Sequence, residues 1–113
     1  MRLPEEASLM RIFIGESDKY AGKPLYEWLV LQAREQGLAG ATVLRGIVGF
    51  GANTRVIQTF KIERLSEDLP IVVEIVDVKE KLEAFLELID PHIKAGMVTL
   101  EKVEIKFYRA AQN

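Results

Sequence analysis

Gly40-Ala41-Thr42-Val43-Leu44 is answered by Gly96-Met97-Val98-Thr99-Leu100. Each stretch follows an amphipathic helical pattern and opens an apolar strand, so the chain runs through one unit twice: strand, helix, glycine, strand. The first pass covers Leu9 to Gly49 and the second covers Ile71 to Tyr108. Two such units give the order βαββαβ. A strand–helix–strand crossover is right-handed when it packs back on its own sheet, so this order predicts an α+β fold. Its sheet is four-stranded and antiparallel, with both helices on one face. The other face is then bare, and an apolar sheet face left in water needs a partner, here further copies of the same chain.

In the first strand, Leu9 to Gly15, Met10, Ile12 and Ile14 point one way and Leu9, Arg11 and Phe13 the other. Both faces are largely apolar, and a charge at Ile12 or Ile14 is expected to break self-association. Pro24 suits the first turn of a helix that runs through Leu25, Trp28, Leu29, Gln32, Ala33 and Gln36 until Gly37 stops it. Tyr26, Val30 and Leu31 widen its apolar stripe beyond what one sheet covers. The second helix has a single stripe, Leu82, Phe85, Leu86, Ile89 and Ile93. Asp77 and Glu80 have capping-box spacing, and Pro91 predicts a kink or a fresh turn begun at Asp90. Between the halves, residues 51–70 exceed the two to five residues of a tight hairpin by far. They read either as a mobile effector loop or as an arm that pairs with a neighbouring subunit. Within them Val56, Phe60 and Ile62 alternate imperfectly with Thr59, Lys61 and Glu63.

The chain has 113 residues, 49% hydrophobic and 28% charged, which predicts a single domain over residues 1–113. No apolar run approaches the roughly 20 residues of a membrane span, and the N-terminus has no signal-peptide pattern. The expectation is a cytoplasmic protein with no membrane insertion. The absence of cysteine excludes disulfides, a thiol nucleophile and thiolate metal sites. With His92 as the sole histidine, a His/Cys zinc site is excluded too; in a last helical turn it meets the negative end of the helix dipole. A net charge of -2 with interspersed signs offers no electrostatic footprint for nucleic acid. No nucleophile stands beside a base and no carboxylates pair at a defined spacing, so the chain reads as non-enzymatic. Gly46 to Gly51 with Arg55 faintly echoes an acylphosphatase phosphate cradle, but in the wrong connection of the fold. Arg45 reads as snorkelling or pairing with a Glu at a subunit contact, and Glu67 with Asp68 as a solvated turn.

Gly40, Ala41, Thr42 and Val43 followed by Gly49, Phe50 and Gly51 resembles the second strand and loop entrance of the PII signalling proteins. Gly46, the run Leu65-Ser66-Glu67-Asp68-Leu69-Pro70, Gly96 and Thr99 extend the resemblance to the small prokaryotic PII-like proteins over essentially residues 8–108. The resemblance implies the PII-like form of the ferredoxin-like fold and a homotrimer with its sheets around a central axis. It further implies an adenine nucleotide in the inter-subunit clefts and a long loop that reports occupancy to a protein partner. Thr42, Gly49, Phe50 and Gly51 would border the nucleotide, and Gly96 stands where PII proteins carry a glycine-rich phosphate loop. Lys106 and Arg109 are loose counterparts of their C-terminal basic pair. PII proteins follow the glycine triplet with Arg and Gln, where this chain has Ala52 and Asn53. On physical grounds, glycines let main-chain N–H groups approach a base or phosphate, and the guanidinium of Arg55 suits phosphate oxygens. The alternative is a non-catalytic structural or adaptor oligomer of similar fold with no nucleotide.

Overall fold

The computed structural model describes residues 4–52 and 68–111. Strand β1 (Glu6–Gly15) leads into a short hairpin, β2 (Lys19–Tyr20) and β3 (Lys23–Pro24), and then helix α1 (Leu25–Glu35). Strand β4 (Thr42–Arg45) closes the first unit; β5 (Pro70–Asp77), α2 (Lys79–Ile89), a 3-10 turn (Asp90–His92) and β6 (Met97–Glu104) form the second. The sheet has the order β4-β5-β1-β6 and every neighbouring pair is antiparallel. This is the α+β, ferredoxin-like arrangement that the repeated unit predicts.

Period-2 and period-3.6 stripes meet in one core. Met10, Ile12 and Ile14 of β1 and Ile71, Val73 and Ile75 of β5 pack against Leu25, Leu29 and Ala33 of α1 and Leu82, Phe85 and Ile89 of α2. Ile12 and Ile14 therefore lie beneath the helices, at 0% and 7% exposure. The expectation that they face a neighbouring subunit is wrong. Both faces of β1 are apolar, so alternation separates two sets without saying which one the helices cover. The uncovered face carries Leu9, Arg11 and Phe13, paired across β5 with Val76, Glu74 and Val72.

Local chemistry sets the element ends. Helix α1 stops in a Schellman arrangement: Leu38 N–H donates to Ala33 O (3.0 Å), Gly37 N–H to Arg34 O (3.1 Å), and Gly37 takes φ +75°. Pro24 immediately precedes α1 instead of lying in its first turn, because it also closes the hairpin opposite Lys19. The hairpin, absent from the sequence reading, turns on Ala21 and Gly22, both at positive φ. Pro91 does start a fresh turn, Asp90–His92. The capping box does not form. Asp77 is buried at the end of β5, where its carboxylate accepts from Ala39 N–H (3.0 Å) and Val78 N–H (2.7 Å). It thus ties the exit of α1 to the entrance of α2, and no side chain caps the first turn of α2.

The loop-or-arm question of residues 51–70, the alternation around Val56 to Glu63, and Arg55 fall largely or wholly outside the described residues.

Candidate functional site

Three connections converge at one end of the sheet. After β4 the chain runs past Gly46, whose N–H donates to Pro70 O (2.7 Å), and brings Gly49, Phe50 and Gly51 over the start of β5. The α2–β6 connection brings Ala95 and Gly96 to the end of β1, and the β1–α1 connection adds Gly15 and Asp18. Together they enclose a cleft of about 360 Å³. Gly96 is required there on two counts: it takes φ +147°, and a Cβ would stand 2.4 Å from the carbonyl oxygen of Phe13. Phe50 is 67% exposed, an aromatic face at the mouth.

The charged lining of the cleft is acidic. Asp18 accepts from Gly15 N–H (3.0 Å) and Asp68 from Ser17 N–H (3.0 Å), so each carboxylate holds the β1–α1 connection with one oxygen. Asp68, read from sequence as a solvated turn, is thus a fastening residue of the wall. Neither Lys nor Arg lines the cleft among the described residues. Arg45, read as snorkelling or pairing with a Glu at a subunit contact, pairs with Glu16 of its own chain (2.7 Å). Among the described residues no group of three His, Cys, Asp or Glu is placed to hold a metal.

Of the residues singled out in the sequence, Gly49, Phe50, Gly51 and Gly96 share this cleft. Thr42 does not; it lines a second cleft of about 510 Å³ with Leu9, Glu74, Val76 and Tyr108. There the C-terminal segment crosses the uncovered face, and Tyr108 donates its hydroxyl to Ala39 O (2.7 Å). Lys106 is exposed, pairs with Glu104 and borders neither cleft. Arg109 lies over the Phe107 ring, 4.2 Å from its centroid. Arg55 is outside the described residues. Sequence reasoning missed Asp18, Glu74 and Tyr108, because single polar residues scattered over a connection, a strand and the C-terminal segment carry no motif until the fold closes them around a space.

The chain belongs to the family described as DUF190, Uncharacterized ACR, COG1993, whose model matches residues 7–105. It is similar to a UPF0166 protein of Aquifex aeolicus, with 46% identity over 97 residues, covering 86% of this chain and 90% of that one. A UPF0166 protein of Methanocaldococcus jannaschii is 36% identical over 81 residues, covering 72% of this chain and 73% of the relative. Among solved structures, CPII from Thiomonas intermedia K12, bound to ADP and bicarbonate, superposes with a TM-score of 0.64 at 16% identity, covering 88% of both chains. CPII is described as a nitrogen regulatory PII-like protein, and the fold of the present chain is PII-like. No helix among the described residues is long and apolar enough to cross a membrane.

Proposed function

We propose that this chain is a non-enzymatic, PII-like regulator that binds an adenine nucleotide where its subunits meet and signals through residues 51–70. The observation that carries the reading is the convergence of Gly49, Phe50, Gly51 and Gly96 on one cleft, although the two glycine groups are separate in sequence. Glycines at the wall leave main-chain N–H groups open to close approach, and Phe50 offers a ring for a base.

The two clefts lie at opposite ends of β1, with Ile14 in one and Leu9 in the other. Five residues of strand separate them by about 16 Å. One nucleotide touches Thr42 together with Gly49–Gly51 only where the first end of one copy meets the second end of another. A homotrimer closed around the uncovered sheet face supplies three such junctions. Such a junction would also answer the acidic lining: Arg109 of the neighbour, over the Phe107 that lines the second cleft, would be the nearest source of the cation that phosphate requires. A bound phosphate at the root of residues 51–70 gives that segment a reason to change with occupancy.

Native mass spectrometry against ATP, ADP, AMP and cyclic dinucleotides tests this directly, because one spectrum counts subunits and ligands. The expected species is three subunits with up to three copies of one nucleotide. An oligomer that takes up none of them replaces the regulator with a structural adaptor, and a monomer removes the inter-subunit site altogether.

A further inference from the structure

The inner wall of the cleft comes from two connections that lie far apart in sequence. The β1–α1 connection supplies Gly15 and Asp18, and the α2–β6 connection supplies Ala95 and Gly96. The ladder between β1 and β6 ends at Phe13 and Met97. Beyond it, among the described residues, no backbone hydrogen bond joins residues 16–24 to residues 90–96. Three rings bridge them instead. Tyr20 follows Asp18 by two residues and His92 precedes Gly96 by four. Their ring centroids are 4.5 Å apart, and Trp28 of α1 stands 4.6 Å from Tyr20 and 5.0 Å from His92. The interplanar angles, 48° to 74°, are of the tilted and edge-on kind that aromatic quadrupoles favour. All three rings are half-buried, and each is held by a defined local structure: the hairpin, the helix and the 3-10 turn.

We propose that Tyr20, Trp28 and His92 form a clasp that fixes the spacing of these two connections, and that His92 is thereby a positioning residue for the ligand of the cleft. The clasp stands on ring geometry alone; only its effect on ligand affinity rests on the nucleotide reading. His92 touches no lining residue of the cleft through these contacts. It acts on Gly96, four residues along a short connection whose end is already pressed against Phe13 O.

The test is a cross-effect, read by hydrogen exchange on the ligand-free protein. Tyr20→Ala is expected to speed exchange in residues 93–97, and His92→Ala in residues 16–20, each by about three- to tenfold, the range that one lost aromatic contact supports. The double variant should add little to either single one. His92→Phe, which keeps a ring, should restore wild-type exchange, and the emission of Trp28, the sole tryptophan, checks that the cluster re-forms. If each substitution loosens only its own connection, there is no clasp. ADP affinity is then measured on the same proteins. A loss in His92→Ala that His92→Phe restores supports the positioning role, and equal affinity in all three overturns it. A wild-type protein that binds no nucleotide but shows the cross-effect keeps the clasp and discards the nucleotide.

Discussion

Arg11 places its Nε 2.9 Å from Glu74 Oε2 and its Nη1 on Glu101, so one guanidinium ties β5, β1 and β6 together at the centre of the uncovered face. The hydrogen bond to Glu74 is the largest influence on this guanidinium and holds its pKa above the ordinary arginine value. A raised pKa means the contribution is complete below the ordinary value and fades only as pH rises through the higher one. The guanidinium thus stays charged at any pH at which the protein is handled. Arg11→Met keeps an apolar stem but leaves two carboxylates, one on each strand that flanks β1, without their shared cation on the face through which copies are proposed to meet. Self-association is expected to weaken, most of all at low salt, where like charges act beyond the roughly 8–10 Å of physiological screening. Sedimentation velocity over a salt series reads this; an unaltered distribution would take the face out of the interface.

Adjacent residues of β1 should respond to a charge in opposite ways. Ile12 is fully buried under the helices, whereas Phe13 sits on the uncovered side beside Val72 and Met97. Ile12→Asp is expected to unfold the protein, since an unpaired buried charge costs several kcal/mol, and the milder Ile12→Ala to cost about 2–5 kcal/mol. Phe13→Asp should instead leave a folded chain that fails to assemble. Circular dichroism melts paired with sedimentation separate the two effects, and an assembled Phe13→Asp protein contradicts the role given to this face.

Asp77 is a fully buried carboxylate with two backbone donors, Ala39 N–H and Val78 N–H. Asp77→Ala orphans both, and a buried donor without a partner costs about 1–3 kcal/mol. The expected loss, seen in denaturant melts, should come with faster exchange at Ala39 and Val78 while the far end of the sheet stays protected. Uniform loosening would argue that Asp77 supports the core at large and not this junction.

The repeated unit was legible because the core stripes obey the periods of strand and helix, as Met10, Ile12, Ile14 and Leu82, Phe85, Ile89 do. Glycine also marked real ends, at Gly37 and before β6. What alternation did not reveal is which face of β1 meets the helices, since Phe13 is as apolar as Ile12. The hairpin escaped notice because Ala21, with φ 52°, is not a residue that announces a turn. At the site, Gly49 to Gly51 and Gly96 were legible one by one, but their meeting depends on the antiparallel ladder that sets Met97 opposite Phe13. A different ladder, β4 with β5, sets Thr42 opposite Glu74 and away from that cleft. Asp68 read as a solvated turn and Asp18 carried no signal, and only the closed fold gives them amides to hold.

Gly49 offers the sharpest test of where the ligand lies. A Cβ there would stand 3.2 Å from Pro70 Cγ, so the branched side chain of Gly49→Val is pressed between that ring and the cleft. Gly49 lies beyond β4, outside the sheet pairing, and contributes nothing to the helix-covered core. The substitution is therefore expected to spare the overall fold and assembly, at a local cost of about 1–3 kcal/mol for a branched residue held at φ +159° against Pro70. Nucleotide affinity should fall by at least about tenfold, because filling a wall denies the close approach that glycine permits. Native mass spectra of the two proteins at matched nucleotide concentration compare both properties in one experiment. Equal occupancy would move the ligand away from the Gly49–Gly51 wall and toward the second cleft alone, where Thr42, Glu74 and Tyr108 stand.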